Sequence, residues 1–263
     1  MNKSILFRKS LEEEGEYNVA SSIIDNTYQF RSQIPENNLV FGRYSALPFY
    51  KELDEELSLS GSKLVNSYTQ HRYIADIESW YRDISEYTPQ TWFTWGNLNE
   101  GKYVVKGRTN SRKFNWNTSM FADGRDQLIN VIKNLLMDDM ISQQGLCVRR
   151  YEPLVTYGVG LNNLPFTNEY RMFFYKDQLI DYGYYWSIYD GPRSSDIAPE
   201  GKEIAQKIAS IISKKTNFFV IDMAETVAGR WVCIEINDGQ MSGLSEIPPK
   251  RFYTNLKRVM NSF

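Results

Sequence analysis

Two apolar, strand-like runs near the end of the sequence, NFFVIDMAE and RWVCIEIND, are separated by the short turn sequence TVAG. Such a pair of runs predicts a β-hairpin. If Ala228 and Gly229 are the two central turn residues, the register places Asp222 directly opposite Glu235. Because side chains alternate along a strand, Asn237 shares the face of Glu235, and Asp222 projects on the same side. The hairpin is therefore predicted to gather three oxygen ligands on one face.

The opposed carboxylates of Asp222 and Glu235 need a compensating charge. Like charges that face each other across a sheet destabilise it, and these runs are too apolar to form a solvated face. Mg²⁺ takes one or two carboxylates and leaves its other positions to water and substrate phosphates. This interpretation predicts Mg²⁺ at Asp222, Glu235 and Asn237 and a nucleotide as the ligand. An acidic pair bridged by a lysine or arginine is the alternative, which the pattern leaves open.

The chain divides into three portions in this interpretation. Residues 1–66 alternate short apolar runs with charged stretches, which predicts a small N-terminal α/β lobe. Residues 67–145 are predicted to form a second, lid-like subdomain with a strand at 103–106. Residues 146–263 are predicted to form a core subdomain rich in sheet that carries the metal site. The predicted fold class is α/β (α+β).

Helical spacing predicts two amphipathic helices in the second portion. The first covers residues 68–87. The second carries an apolar face, with Asp123 as its N-cap and Gly145 just past its end; that face consists of Leu128, Ile132, Leu135, Leu136 and Met140. The third portion is predicted to contain a hairpin that turns at Lys176-Asp177 and a helix over residues 200–214.

Composition argues against several functions. The chain has 30 basic and 32 acidic side chains and a net charge of −2, so no overall positive field indicates nucleic-acid binding. No apolar run approaches the roughly 20 residues that cross a bilayer, and the N-terminus lacks a secretory signal, so a cytoplasmic location without membrane contact is expected. The single histidine, His71, excludes zinc sites built from several histidines and is expected on a helix surface. Cys147 and Cys233 are expected to be buried free thiols.

The order of motifs along the chain resembles the ATP-grasp superfamily. The final strands of that superfamily carry an Asp and then a Glu-x-Asn that hold one or two magnesium ions, and Asp222, Glu235 and Asn237 match them. Upstream, the strand YVVK ends in Lys106, a helix and the connecting strand LCVRRYEPL follow, and EYRMFFY supplies Arg171.

The combination of VVK, VRRYEPL, NEYRMFFY and IEINDGQMSGL resembles a divergent clade of this superfamily, the one named for its two arginines and one lysine. The resemblance covers about residues 40–245. It implies an ATP-grasp fold in which an N-terminal lobe precedes two α+β subdomains that grip the nucleotide.

The resemblance also assigns roles to individual residues. Lys106 and Arg171 are expected to bind phosphate oxygens and to be the catalytic cations. Arg149, Tyr151 and Glu152 are expected to contact the nucleotide from the connecting strand, with Glu152 at the ribose hydroxyls. The alternatives are a surface lysine for Lys106, an ion pair with an acid such as Glu169 for Arg171, and a solvated glutamate for Glu152.

The loop after Lys106 departs from the superfamily pattern because it contains one glycine, Gly107, where many members are glycine-rich. Side chains are therefore expected to replace backbone contacts to phosphate, with Arg108 and Lys113 as the cofactor-binding candidates beside Ser111 and Arg112.

The chemistry that the resemblance implies is that of an ATP- and Mg²⁺-dependent carboxylate ligase. The γ-phosphoryl group of ATP moves to a substrate carboxylate, and an amine or other nucleophile attacks the acyl phosphate; no motif identifies either partner. Gln240 and Ser242 follow the metal strand, where they either contact the acyl phosphate or form a turn. Two alternatives stay open. One is a nucleotidyl-transferring ligase acting on nucleic acid, whose Lys-x-Asp-Gly motif is absent here; the other is a nucleotide-binding module without catalysis.

Overall fold

The architecture is mixed α/β, which confirms the predicted fold class. The structure, a computed structural model, describes residues 1–8, 15–43, 50–96 and 98–262. Within these ranges the strands form three four-stranded sheets and a two-stranded hairpin. Short 3₁₀ helices lie at Arg31–Gln33, Tyr81–Asp83, Lys113–Asn115 and Leu161–Asn163. None of the helices in the described ranges combines the length and the apolar character that a membrane crossing requires.

The first sheet is parallel and lies in the N-terminal part of the chain. Its strands are β1 (Asn2–Phe7), β2 (Thr27–Tyr28), β3 (Asn38–Arg43) and β4 (Lys63–Leu64), in the order β2-β1-β3-β4. Helix α1 (Glu16–Ile23) falls between β1 and β2 in sequence, and α2 (Tyr50–Leu59) falls between β3 and β4. Parallel neighbours require such crossovers, so this part has the α/β character that was predicted. The lobe boundary at residue 66 stays a prediction.

The second sheet is antiparallel and has the order β5-β8-β6-β7. Helices α3 (Tyr68–Ala75) and α4 (Ile77–Trp80) precede it. Its strands and helices are β5 (Thr91–Trp92), β6 (Lys102–Gly107), α5 (Trp116–Ser119), β7 (Phe121–Asp123), α6 (Arg125–Leu136), α7 (Asp139–Gln144) and β8 (Leu146–Arg150). Strand β8 carries the sheet to Arg150, beyond the predicted subdomain boundary at residue 145, which stays a prediction.

The two helices predicted in this region are broken by aspartates. Asp76 has an extended backbone and accepts a hydrogen bond from the Glu78 amide (3.0 Å), so it ends α3 and caps α4. Asp138 accepts from the amides of Met140 and Ile141 (both 3.1 Å) and starts α7 as a separate helix. A short polar side chain that binds nearby amides competes with a continuing helix, and apolar periodicity does not register this competition.

The break at Asp138 changes which residues of the predicted apolar face are buried. Leu136 and Met140 are 48% and 49% exposed, whereas Leu128, Ile132 and Leu135 are buried as predicted. The predicted N-cap was also wrong, because Gly124 rather than Asp123 precedes α6. Gly145, with φ of 82°, ends α7 in a backbone conformation that suits glycine.

The third sheet is antiparallel in the order β12-β11-β13-β14 and follows the small hairpin. Its region contains β9 (Thr156–Val159), β10 (Pro165–Thr167), β11 (Glu169–Tyr175), β12 (Gln178–Tyr184), α8 (Pro199–Ile212), β13 (Phe218–Glu225), β14 (Trp231–Asp238) and α9 (Pro249–Asn261). The predicted turn at Lys176-Asp177 is confirmed, because Tyr175 pairs with Gln178.

Both faces of this sheet are covered. One face carries Met172, Phe174, Phe219 and Ile221 into a core with α8. The other carries Phe173, Phe218 and Val220 into a core with α9 and with Ile5 and Phe41 of the first sheet. Alternation along β11 and β13 continues this second face beyond the core to Arg171 and Asp222. Polar side chains thus lie on a rigid sheet beside an apolar core. Cys147 and Cys233 are buried free thiols, as predicted.

Candidate functional site

The third sheet pairs Asp222 with Glu235, as predicted, but by a different route. The hairpin loop has three residues, 227–229, because Thr226 donates its amide to the Arg230 carbonyl (2.8 Å). The predicted two-residue turn at Ala228-Gly229 was therefore wrong. A β-bulge corrects the register: Met223 pairs with Cys233 and Asp222 pairs with Glu235, which leaves Ile234 as the extra residue.

Arg149 of β8 holds this bulge. Its Nη1 donates to the Ile234 carbonyl (2.5 Å), Nη2 donates to Thr88 Oγ1 (2.6 Å) and Nε donates to Thr91 Oγ1 (3.2 Å). The side chain lines a cleft, yet every guanidinium nitrogen donates to the protein. Arg149 therefore fixes the backbone immediately before Glu235.

The cleft lies between the second and third sheets and gathers most of the predicted nucleotide-binding residues. Its apolar walls include Val104, Met120, Leu154, Leu164 and Trp186. Its polar lining includes Lys106, Lys113, Arg149, Tyr151, Glu152, Glu169 and Glu235. Apolar walls with a few convergent charged groups are typical of a site for a small molecule that has a flat ring and a charged end.

Two lysines reach into the cleft from the second sheet and its loop. Lys106, at the end of β6 and 5% exposed, is hydrogen-bonded to Glu235 through Nζ. Burial raises the pKa of Glu235, but the Lys106 charge outweighs it and the pKa is lowered. Lys113 donates to the Tyr185 hydroxyl (2.6 Å), and burial lowers the pKa of its ammonium. Both cations are thus desolvated and face the carboxylates of the third sheet.

Arg171 and Asp222 are cross-strand neighbours that form a two-pronged ion pair. Arg171 Nε and Nη2 donate to the two Asp222 oxygens (2.9 and 2.8 Å), and Nη1 donates to the Gly243 carbonyl (3.1 Å). Burial by itself lowers the pKa of Arg171, but Asp222 reverses the effect and the pKa is raised. Each acid of the predicted metal pair therefore holds its own cation in this structure, as the structural alternative anticipated.

Glu169 is a third carboxylate of the cleft. From the sequence it was predicted only as a possible ion-pair partner for Arg171. It is buried and accepts a hydrogen bond from Thr167 Oγ1 (2.9 Å). Burial, and then the charge of Asp222, raise the pKa of Glu169 to about 8. Its position two residues before Arg171 on β11, and hence on the same face, is the signal that could have found it.

The remaining predicted nucleotide contacts differ in placement. Arg108 does not line the cleft, and its guanidinium is bound by Asp76 and Glu78. Tyr151 and Glu152 do line the cleft; the Tyr151 ring contacts Phe121, and Glu152 pairs with an exposed arginine. No bound nucleotide tests these roles, so they stay predictions.

A second cavity meets the cleft at Ser111 and Glu235, which line both. Arg171, Asn237, Asp238, Ser242 and His71 also line it. Gln240 is fully buried and accepts a hydrogen bond from the Gly42 amide (2.9 Å), so it ties its loop to the first sheet. Ser242 donates to the Asp238 carbonyl (2.9 Å) and so braces the same loop.

The expectation for His71 was wrong. Its side chain is 1% exposed, because Nδ1 is bound to Asp238 (2.8 Å) and the ring stacks on Tyr50 with centroids 4.1 Å apart. The helix surface suggested by local sequence is an interior surface in the folded chain.

The donor chemistry of the predicted metal ligands suits Mg²⁺. Within the ranges that the structure describes, no group of three Asp, Glu, His or Cys side chains forms a metal cage. Mg²⁺ commonly takes only one or two carboxylates and completes its shell with water and phosphate oxygens, so no such cage is required. Asp222, Glu235 and Asn237 can supply two carboxylates and an amide oxygen, and the assignment stays a prediction.

The fold and the cleft define an ATP-grasp protein. Residues 94–256 match the model of an ATP-grasp domain family, the third family of the clade named for two arginines and one lysine. The chain therefore belongs to that family, and the resemblance seen in the motifs is confirmed. No curated protein matches the sequence.

Solved structures of ATP-grasp ligases are similar over nearly the whole chain. The D-cycloserine synthetase DcsG has a TM-score of 0.61 at 11% identity, with 98% of this chain and 100% of that chain covered. The D-alanine–D-alanine ligase from Bacillus anthracis complexed with ATP has a TM-score of 0.61 at 12% identity, with 99% and 96% covered. The L-amino acid ligase from Bacillus licheniformis has a TM-score of 0.57 at 11% identity, with 97% and 72% covered. At these identities the likeness shows the fold.

Proposed function

We propose that the chain is an ATP- and Mg²⁺-dependent ligase that activates a carboxylate as an acyl phosphate for attack by an amine or another nucleophile, with release of ADP. The observation that carries this proposal is the meeting of two cavities at Glu235 and Ser111. A ligase of this kind must bring the end of the nucleotide against an acid and an acceptor, and two adjoining cavities suit that need.

The cleft is the nucleotide side in this proposal. The base lies between the apolar walls that include Met120 and Trp186, and Tyr151 and Glu152 lie at the sugar. Lys106 and Lys113 reach the phosphates as desolvated point charges, whose interaction with anions is stronger away from bulk water. Arg149 acts through the bulge by positioning Glu235.

Asp222, Glu235 and Asn237 are the residues that would hold Mg²⁺. When bound, the ion neutralises phosphate charge that develops during transfer. Arg171 lies on the side of the second cavity, where its guanidinium offsets charge on the transferring phosphoryl group or on the substrate carboxylate. The ligases among the similar structures support this class of reaction for the fold, and they leave the substrate of this chain open.

The nucleotide product tests the proposal. Acyl-phosphate formation releases ADP, whereas nucleotidyl transfer releases pyrophosphate and later AMP. The purified chain is incubated with ATP, Mg²⁺, hydroxylamine and a panel of amino acids and dicarboxylic acids, and the products are separated by ion-exchange chromatography. Acid-dependent ADP with a matching hydroxamate supports the ligase. Stoichiometric AMP with a covalent adenylyl-lysine overturns it in favour of the nucleotidyl-transfer alternative, and tight MgATP binding without turnover on any acid favours the binding module.

A further inference from the structure

The wall of the second cavity includes a histidine whose ring nitrogen Nε2 is buried and unpaired among the residues that the structure describes. This residue is His71, which is 1% exposed. Leaving a buried polar atom unpaired is unfavourable, so an interior position that serves only packing would favour another side chain.

The other nitrogen of the ring is held firmly. We assign the proton between the ring and Asp238 Oδ2 (2.8 Å) to Nδ1, because carboxylate oxygens act as hydrogen-bond acceptors. Asp238 is itself fixed by Asn66 Nδ2 (3.0 Å) and by the Gln240 amide (2.9 Å), both bound to Oδ1. Tyr50 stacks against the ring at an interplanar angle of 13°. In the Nδ1–H tautomer the stacked ring presents Nε2 as a hydrogen-bond acceptor in a fixed direction.

The charges around the cavity suit an amine. Of the charged groups in the lining, Glu235 is paired with Lys106, Asp238 with the His71 ring, and Arg171, the cation in the lining, with Asp222. The other lining groups include the short polar side chains of Thr109, Asn110, Ser111 and Ser242. An ammonium group entering here meets hydrogen-bond acceptors, and the cation of the lining is already paired with a carboxylate.

We propose that the second cavity is the acceptor site and that His71 Nε2 takes a proton from an amino group of the acceptor, with Asp238 as the positioning residue behind the ring. This inference rests on the proposed ligase function and adds the chemical class of the acceptor, a primary amine, and the residue that activates it. An amine near neutral pH is mostly protonated and lacks the lone pair that attack requires. A fixed base within reach of the ammonium removes this barrier.

The proton and electron balance is simple. The ammonium gives one proton to Nε2 and becomes a neutral amine. Its nitrogen lone pair forms the C–N bond at the acyl carbon, the C–O bond to phosphate breaks, and phosphate leaves with the electron pair of that bond. The departing phosphate takes the second proton from nitrogen, so the products are an amide, hydrogen phosphate and a protonated His71.

The first test uses the fact that the chain has one histidine. Protein labelled with ¹⁵N-histidine gives NMR signals from the His71 ring alone, and the ring is observed with Mg²⁺ and ADP as the probe glycinamide is added. The expected result is an Nδ1–H tautomer whose Nε2 signal shifts with glycinamide and not with acetamide. An Nε2–H tautomer, or an Nε2 signal that a large excess of glycinamide leaves unchanged, overturns the proposal whether or not turnover is found.

The second test separates activation of the acid from transfer to the amine. In His71→Asn, the amide nitrogen keeps a donor near the place of Nδ1 for Asp238, while the base is lost. Hydroxylamine is largely unprotonated at neutral pH and needs no base, so the ratio of the glycinamide amide to the hydroxamate should fall about 10²- to 10⁴-fold. Arg72→Asn, an exposed change on the same helix, is the control and should leave the ratio unchanged.

The outcomes separate the two proposals. A ratio in His71→Asn that equals the wild-type ratio overturns the role of His71 while the ligase stands. Absence of hydroxamate from the wild-type protein overturns the ligase, and the NMR result then decides whether the cavity binds amines.

Discussion

Replacement of Arg149 by methionine should destabilise the fold, because the Arg149 guanidinium stabilises the bulge through its hydrogen bonds. The change keeps an unbranched apolar side chain and removes three hydrogen bonds. Thr88 and Thr91 keep other bonds through their hydroxyls, to the carbonyls of Cys233 and Pro89 (both 2.8 Å). The Ile234 carbonyl loses the bond that Arg149 donates to it.

The magnitude follows from these contacts. An unpaired buried carbonyl costs about 1–3 kcal/mol, and a hydrogen bond from a charged donor contributes about 1.5–3 kcal/mol. Removal of the buried guanidinium charge offsets part of this loss of stability, because burial of a guanidinium is itself unfavourable. The free energy of unfolding of Arg149→Met should therefore fall by about 2–4 kcal/mol.

The assay is urea unfolding of the metal-free, nucleotide-free protein, followed by tryptophan fluorescence. Arg150→Met, the adjacent and exposed position on β8, is the matched control and should change the free energy of unfolding by less than about 0.5 kcal/mol. If the free energy of unfolding of Arg149→Met also changes by less than about 0.5 kcal/mol, the proposed stabilisation of the bulge by Arg149 is refuted. A loss of MgATP affinity in that case would identify Arg149 as a direct nucleotide contact, the role predicted from its place on the connecting strand.

Three further predictions address the charged groups. Glu235→Gln should lower Mg²⁺-dependent turnover by about 100-fold or more in protein whose circular dichroism shows a retained fold, since a metal ligand contributes several kcal/mol to charge stabilisation. Exposed Glu200→Gln is the control, and wild-type turnover in Glu235→Gln would exclude the metal site. Lys106→Ala should weaken MgATP binding, measured by calorimetry, about 10- to 100-fold, and exposed Lys207→Ala is the control. Equal MgATP affinities of the two variants would show that Lys106 has only a structural role. In metal-free protein, the folded state holds one more proton on Glu169 than the unfolded state between about pH 4.5 and 8. The free energy of unfolding of the wild type should therefore fall with rising pH, relative to that of Glu169→Gln, by up to about 1.4 kcal/mol per pH unit. If the free energies of unfolding of the two proteins change in parallel with pH, the raised pKa is contradicted.

Local sequence was sufficient for the strands and for the pairing of the two acids. The apolar runs identify β13 and β14, and the pairing of Asp222 with Glu235 was predicted correctly. The success depended on two compensating differences: the loop is one residue longer than predicted, and the bulge at Ile234 adds one residue on the other strand. A bulge has no clear local signature here, because Arg149, which binds it, lies 85 positions away in the chain.

The partners of the charged residues could not be predicted from local sequence. Lys106 and Glu235 are 129 positions apart, and His71 and Asp238 are 167 positions apart. Helical spacing on α3 indicates which side of the helix His71 occupies, but only the packing of α3 against β14 decides that this side is interior. The direction of the pKa shift at Glu169 likewise depends on its burial among side chains from distant parts of the chain.

The pairing of charges in this structure explains how a site without a glycine-rich phosphate loop can serve the proposed reaction. Asp222 is neutralised by Arg171 and Glu235 by Lys106, and the raised pKa of Glu169 keeps its carboxyl largely uncharged at neutral pH. In the proposed reaction MgATP exchanges these partners: the cations turn to the phosphates, and the carboxylates turn to Mg²⁺. Asp222 and Glu235 then keep an opposite charge before and after binding, which avoids the several kcal/mol that an uncompensated buried ion costs. ATP without the metal would take the cations and leave both carboxylates unpaired, so we expect Mg²⁺ to be needed for binding the nucleotide as well as for turnover.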